Sequence, residues 1–533
     1  MKMQDVDLAR VSPMMKHYIS VKKEHPDVII FYRLGDFYEV FFEDAVITSR
    51  ELELTLTGRS AGLDEKVPMC GVPFHAVQIY IDKMVEKGYK IGICEQLEDP
   101  KTAKGIVERG LTQIISKGTI MNSESLKENE FNYIGNIIDF TNSYGVCYTD
   151  ITTGVIYVSL IEHDTSKLIS EILSNNLTEV IVESTIDKNI TNILKNQYNI
   201  FITISVDIKE LEEYKYIYSN IEDNRLIKTI NHLITYILEI KMTSLTHLQK
   251  AIIKSNAKYL KMDIHTKRNL ELTETLRLKQ RQYSLIWLLD KTKTAMGSRL
   301  LKDYIENPLI DINEINKRYD IVETLLEEFI LKEDLKNLLY EVYDLERLSG
   351  RIAFGNANAR DLLQLKNSLK VLPDIKNILK AIKFKDIETL SDLYKLLDNS
   401  IYENPPVGLK EGYLIKQGFN SELDELKDIR ANGKDFIAKF ETEEKEKTGI
   451  KTLKVGYNKV FGYYIEVSKG MTYLVKEEYG YERKQTLSNC ERYISPILKE
   501  KESLILNAED RIIELEYNLF VDIRNKIKEY IPR

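Results

Sequence analysis

Apolar and polar positions along this chain switch between two periods, and each switch marks where an element begins. Val28–Leu34 (VIIFYRL) is an apolar run stopped by Gly35 and Asp36, the pattern of a packed strand. Residues 37–42 follow as a second strand. Residues two apart share a strand face, so Phe37 and Glu39 point one way while Tyr38 and Val40 point the other. Residues 44–54 have helical spacing, 76–87 form an amphipathic helix closed by Gly88, and 89–97 return as a strand. Pro68, Gly71 and Pro73 predict a rigid loop that holds Met69. Together these elements predict an α/β unit that ends near residue 120.

From 132 the period is that of strands: 132–138, 145–150, then Thr153-Gly154 as the turn into 155–160. Residues 179–184 (EVIVES) and 201–206 (FITISV) read as short buried strands among helical patterns. Beyond about 255 the pattern is long helices, at 270–289, 310–345 and 360–384. Residues 421–447 predict a charged helix, one arm of an antiparallel pair. Residues 451–467 turn β-branched and aromatic, with Tyr457-Asn458-Lys459 as a turn. Helix resumes at Asn489 and returns through 497–531.

Composition narrows the classes. A chain of 533 residues, 43% hydrophobic and 30% charged, is long enough for about three or four domains that each bury a core. It has no apolar run of membrane-spanning length and no apolar signal segment at its start, so a cytoplasmic protein with no membrane partner is expected. Cys70, Cys94, Cys147 and Cys490 are too few and too dispersed for a disulfide framework or metal knuckle, and reduced thiols without a metal are expected. A net charge of −8 excludes a chain that coats nucleic acid by bulk positive charge. Residues 445–495 run against that balance, with ten Lys and Arg to six Glu, a net of +4 that suits contact with a few phosphates.

Taken alone, the Phe37 and Glu39 pair has two readings. One is a hairpin edge with a core Phe and a solvated Glu. The other is a probe, an apolar wedge for a base stack beside an acid that accepts from a base edge. The surrounding residues favour the second. RLGDFYEVFFEDA (33–45), VPMCGVPFHA (67–76) and ICEQLEDPKTAKGIVER (93–109) closely resemble the mismatch-recognition domain of the bacterial MutS family of DNA mismatch repair proteins. TKRNLELTETL (266–276), LLDKTKTAMGSRLL (288–301) and LERLSGRIAFGNANARDLL (345–363) resemble the start of that family's core and lever.

The resemblance implies a multidomain α/β plus all-α fold. Its parts are a mixed α/β recognition domain at 1–122, a ribonuclease-H-like connector at 123–252, a long-helix core and lever at 253–440 and 496–533, and a small inserted β clamp at 441–495. It implies binding of mispaired or unpaired bases in double-stranded DNA, including small loops, through Phe37, Glu39 and Met69. In YERKQTLSNCERYI (481–494), Arg483, Lys484, Thr486, Asn489 and Arg492 are the implied backbone contacts, since they combine charge with hydrogen-bond donors. A MutL-type repair partner and a second MutS subunit are implied as well.

Family members continue into an ATPase domain, but no GxxxxGK[ST] occurs here. The near miss at Gly433-Lys434-Asp435 has Asp428 where the upstream Gly belongs and lacks the hydroxyl residue. The expectation is therefore about the first two thirds of a family member. It would have no catalytic residue and no cofactor of its own, ATP and Mg²⁺ belonging to the full-length family. Two other classes stay open. Asp139, Asp150 and Glu183 on the connector would suit a metal-dependent nuclease, and the helices would suit a non-catalytic scaffold. Arg299 and Lys302 are expected on a solvated helix face rather than on phosphates.

Overall fold

The computed structural model describes residues 3, 6–8, 10–63, 65–98, 107–121, 126–205, 207–254, 258–458 and 462–533, apart from the side chains of 429, 432–436, 501 and 503–507. Residues 1–354 with 374–387 form one compact unit, and 355–373 with 388–531 a second.

In the first unit, β1 Val28–Leu34, β2 Phe37–Phe41, β3 Thr57–Arg59, β4 Val67–Pro73, β5 Lys90–Gln96 and β6 Arg109–Ile115 form a sheet in the order β3-β4-β2-β1-β5-β6. The predicted hairpin is present, with Tyr32 opposite Glu39 and Leu34 opposite Phe37. It is not a sheet edge. β2 also pairs with β4, so the stretch expected to be a proline-marked loop is a strand. Its other neighbour is only the three-residue β3, which leaves Pro73 without a ladder partner on that side. Helix α1 Pro13–Glu24, capped by Ser12, covers one face through Met15, Tyr18 and Ile19, packed on Ile30, Tyr32 and Phe41. Phe42, at φ +57°, turns the chain from β2 into α2 Phe42–Leu52. With α3 Val77–Glu86, it buries the opposite face, which carries Tyr38, Val40 and Val72.

The second sheet contains β7 Tyr133–Asp139, β8 Ser143–Asp150, β9 Ile156–Glu162, β10 Glu179–Val182, β11 Phe201–Ile204 and β12 Ile252–Ile253. Its order, β11-β10-β7-β8-β9-β12, joins an antiparallel β7–β8–β9 meander to the parallel β10 and β11, which is ribonuclease-H-like topology. Helices α4 Thr165–Ser174, α5 Lys188–Asn196 and α6 Asn224–Lys241 flank it. FITISV is not a buried strand as expected: β11 is an edge with Ile204 exposed, and Val206 lies outside the described residues.

Helices α7 Ile264–Asn269, α8 Leu285–Leu289, α9 Ala295–Glu306, α10 Ile312–Glu327, α11 Phe329–Leu339 and α12 Leu345–Ala353 complete this unit. They correct two expectations. Residues 270–289 are mostly turns, with positive φ at Glu271, Lys279 and Tyr283. Leu278, Tyr283 and Leu288 are exposed, and a helix needs packing along its apolar stripe more than it needs propensity. The single helix expected at 310–345 is two, broken at Glu328 (φ −91°, ψ 64°). Arg299 is neither solvated nor a phosphate ligand. It is buried on α9, where it grips Asp344 at 2.7 and 2.8 Å and Glu346 at 2.6 Å, while Lys302 faces Glu130 at 3.6 Å.

Helix α13 Ala359–Ala381 belongs in part to each unit. The second unit contains α14 Ser391–Ser400, α15 Ser421–Thr448 and α16 Pro496–Lys528, with a four-stranded sheet between the last two helices in sequence. β13 Lys454–Asn458, β14 Gly462–Ser468, β15 Glu482–Thr486 and β16 Cys490–Ile494 run in the order β13-β14-β16-β15. Helices α15 and α16 lie side by side, Lys427 meeting Glu516 at 2.7 Å. Phe440 and Leu498 join Ile465 and Val467 in one core beneath the sheet. Helix does not resume at Asn489. Residues 490–494 are drafted into β16 because β14 and β15 flank them on both sides. Of the predicted turn, Tyr457 and Asn458 end β13, and Lys459 lies outside the described residues. All four cysteines are buried free thiols, and no helix among the described residues is long and apolar enough to cross a membrane.

Candidate nucleic-acid interface

Cross-strand partners share a sheet face, so the register assembles the candidate residues. Phe37 lies opposite Pro73, Glu39 opposite Gly71, and Phe41 opposite Met69, while Met69 and Val67 pair with Thr57 and Arg59 of β3. Phe37, Glu39, Met69, Gly71, Thr57 and Arg59 therefore occupy one face, the face that α1 only partly covers. At the covered end Tyr18 stacks edge-on against Phe41 at 5.0 Å, and Met69 packs against that core with its backbone carbonyl accepting from the Thr57 hydroxyl at 3.1 Å. At the open end Phe37 is 47% exposed. It is not a core residue.

The backbone beneath Phe37 is fixed from the other face. Gly35 takes φ +59° in the turn, which an L side chain adopts only with strain. Asp36 accepts from the Phe74 amide at 2.8 Å. The Arg33 guanidinium lies 3.4 Å from the Phe74 ring centroid and 5.3 Å from that of Tyr38, whose hydroxyl donates to Glu95. Burial pushes the Glu95 carboxyl up and Tyr32 up to about 12. Gly71 leaves space on the working face, where a Cβ would come into ordinary contact with Glu39 Cγ at 3.5 Å and the Phe37 ring at 3.9 Å.

Glu39 is not a freely solvated acid. Its carboxylate is paired with the Arg59 guanidinium, and its side chain keeps 15% exposure against 37% for Arg59. The sequence reading missed Arg59. The available signal was the Thr57-Arg59 alternation in TLTGRS, too short a run to register as a strand.

In the second unit the structure brings Arg483, Lys484 and Thr486 together on β15, with Asn489 in the connection to β16 and Arg492 on β16. Arg483, Lys484, Thr486 and Asn489 are exposed. Each cation has a carboxylate neighbour: Arg483 meets Glu491 at 3.4 Å, Lys484 meets Glu482, and Arg492 meets Glu466 at 3.0 Å. Arg492 also donates to Gln485 at 3.1 Å and lies 4.3 Å from the Tyr464 ring centroid. It braces the sheet more than it faces outward.

The connector carboxylates do not converge. Asp139 and Asp150 sit at opposite ends of the β7–β8 ladder, opposite Tyr144 and Tyr133, which separates them by roughly 20 Å at strand rise. Asp150 is buried, accepting from Asn132 N at 2.9 Å and from Thr152 N and Oγ1 at 2.8 and 2.6 Å. Asp139 meets His163 at 3.2 Å, and Glu183 meets Lys228 at 4.0 Å. No cluster of metal-ligating side chains occurs among the described residues, so the arrangement a two-metal nuclease requires is not assembled there.

Known proteins match nearly the whole chain. MutS domain I matches residues 12–124, MutS domain II residues 132–249, and MutS domain III residues 265–533. The DNA mismatch repair protein MutS of Bacillus subtilis (strain 168) is 50% identical over 533 residues, covering 99% of this chain and 62% of that protein. The proteins of the same name from Bacillus licheniformis and Bacillus velezensis are 49% and 48% identical, with 61% of each covered. The chain thus spans about three fifths of the length of the curated relatives it matches. With three successive domains matched in order, this chain belongs to the MutS family.

Proposed function

We propose that this chain recognises mispaired or unpaired bases in duplex DNA as the first step of mismatch repair, with Phe37 as the wedge and Glu39 as the acceptor for a base edge. The observation that carries this reading is the aromatic ring at the open end of a braced sheet, 47% exposed, with a carboxylate two residues on along the same face. A large apolar side chain held out by a rigid turn gains nothing in the free protein, whereas between unstacked bases it is buried. A mismatch is under-stacked and flexible, so wedging there costs less than in paired duplex. Met69, opposite Phe41 at the covered end of the same face, would anchor that surface to the core.

The exposed cations of the small sheet, Arg483 and Lys484, with Thr486 and Asn489, would hold backbone phosphates without reading sequence. Arg492 would keep the strand that carries them in register. Membership in the family extends the proposal to a second MutS subunit, a MutL-type partner and a cytoplasmic setting. We assign no catalytic step to residues 1–533, and ATP with Mg²⁺ would act only in the longer family protein.

The test is a competition between matched duplex and duplex with one unpaired thymine. Phe37→Ala should remove most of the preference, about tenfold or more, since the wedge offsets an unstacking cost of a few kcal/mol. Its thermal stability should be unchanged. Equal discrimination by variant and parent would overturn the reading. No binding of either duplex by the parent would favour the scaffold class instead.

A further inference from the structure

Glu39 faces a ligand that is a polyanion. A carboxylate brought beside phosphates is repelled unless a cation or a hydrogen-bond donor meets it. In the free protein that cation is Arg59, on the neighbouring edge strand β3, and it is the residue whose guanidinium is on Glu39. Arg59 keeps 37% exposure, so it needs no unfolding to move. Gly71 lies opposite Glu39 on the strand between them, and the missing side chain leaves the carboxylate stem room to swing.

We infer that Arg59 sets the specificity of this face as the exchangeable partner of Glu39. The inference rests on the base-recognition reading above. While Arg59 holds the carboxylate, the pair presents no net charge and normal duplex is tolerated weakly. A mispaired base that offers an N–H takes over the carboxylate, and the released guanidinium, already partly exposed, is left to solvent. Arg59 is thus a positioning residue that acts through Glu39 rather than a reader of bases. It moderates a repulsion that would otherwise fall on every duplex.

This inference gives Arg59→Ala a direction that an ordinary phosphate contact would not have. Without Arg59 the bare carboxylate repels matched duplex, while mismatched duplex still supplies a donor. Preference for the mismatch should therefore widen by about two- to fivefold, the worth of a partly exposed ion pair. Arg59→Lys keeps the charge and should restore the parental ratio. In a Glu39→Ala background, Arg59→Ala should leave the ratio unchanged.

The experiment measures matched and unpaired-thymine duplexes against the full chain and these variants, with Phe37→Ala in the same series. If Arg59→Ala weakens both duplexes by one factor while Glu39 is present, Arg59 is a plain phosphate ligand and the inference is overturned. If Phe37→Ala keeps the parental preference, the base-recognition reading fails and takes the inference with it. If Phe37→Ala loses the preference while Arg59→Ala leaves it unmoved, only the role of Arg59 is lost. Thermal unfolding that matches the parent excludes a folding defect in any variant.

Discussion

The two six-stranded sheets of the first unit both carry carboxylates on their strands and treat them in opposite ways. Glu179, at the start of β10, is fully buried and accepts from Ser116 Oγ, Gly118 N at 3.1 Å, Thr203 Oγ1 at 2.9 Å and Tyr236 OH at 3.1 Å. Two lysines, Lys90 half-buried and Lys241 buried, feel its charge. Lys90 donates to the same Tyr236 hydroxyl at 3.2 Å, and Lys241 donates to the Thr119 carbonyl at 2.7 Å. Glu39, on β2, has Arg59 beside it and stays partly exposed. A carboxylate whose lone pairs are all occupied by buried donors holds two elements together and has no capacity left for a ligand. One with a single exchangeable partner on an open face has capacity to spare. The contrast separates an architectural acid from a candidate recognition acid without reference to family.

The sharpest way to break the contrast is to remove each acid. Glu179→Ala takes from Lys241 the carboxylate whose charge it feels, leaves Lys90 with Asp27, and unpairs several buried donors, so it should cost about 3–5 kcal/mol. Glu39→Ala should cost about 0.5 kcal/mol or less and raise matched-duplex affinity instead. Denaturant midpoints of the full chain, read with hydrogen exchange at β10 and β2, distinguish the two. A Glu179→Ala cost as small as that of Glu39→Ala would erase the distinction.

A second test uses pH. Burial pushes Lys241 down to about 7 from its ordinary 10.5, against the pull of Glu179. The folded state then binds fewer protons than the unfolded chain between about 7 and 10.5, so this group's contribution to stability rises with pH across that window. The slope has a ceiling of about 1.4 kcal/mol per pH unit. Lys241→Met removes the titration, and the parent should gain on the variant between pH 7 and 9. A constant difference would mean that Lys241 does not titrate there. Glu39→Ala should leave the slope untouched.

Gly71 gives a smaller effect on the open face. A methyl group there crowds the Tyr38 carbonyl at 3.3 Å and fills the space beside Glu39 and Phe37 at ordinary contact distance, so Gly71→Ala should cost about 1 kcal/mol and restrict both side chains. Mismatch preference should fall with little change in matched-duplex affinity. Preference equal to the parent's would show that the face tolerates crowding and that the placement of the ring is not fine-tuned.

Much of this was legible along the chain because it is local. The β1–β2 hairpin follows from an apolar run, a Gly-Asp break and period-two alternation, and these alone place Phe37 and Glu39 on one face. What was not legible depends on long-range pairing. Three residues of β3 are too short a run for their alternation to register, yet β4 aligns them so that Arg59 reaches Glu39. Residues 490–494 were read as helix, but strands on both sides decide otherwise. Periodicity at 270–289 described a face without saying whether anything covers it, and a face left exposed does not sustain a helix.

The same contrast recurs, with opposite sign, among the cations of the four-stranded sheet, and it yields the smallest effect. Arg492 resembles Glu179: Glu466, Gln485 and the Tyr464 ring occupy it, so its loss should loosen the sheet. Lys484 resembles Glu39, being exposed with one carboxylate, Glu482, beside it. If Lys484 grips a phosphate, Lys484→Ala should weaken matched and mismatched duplex by one factor and leave specificity intact. It should also flatten log affinity against log salt by up to about 0.9, because one fewer counterion is released. The change should fall short of that ceiling, since Glu482 already screens the lysine in the free protein. Titrations of parent and variant across a salt series measure both quantities. An unchanged slope would place Lys484 off the phosphates, and an altered mismatch preference would mean that this sheet takes part in reading the base.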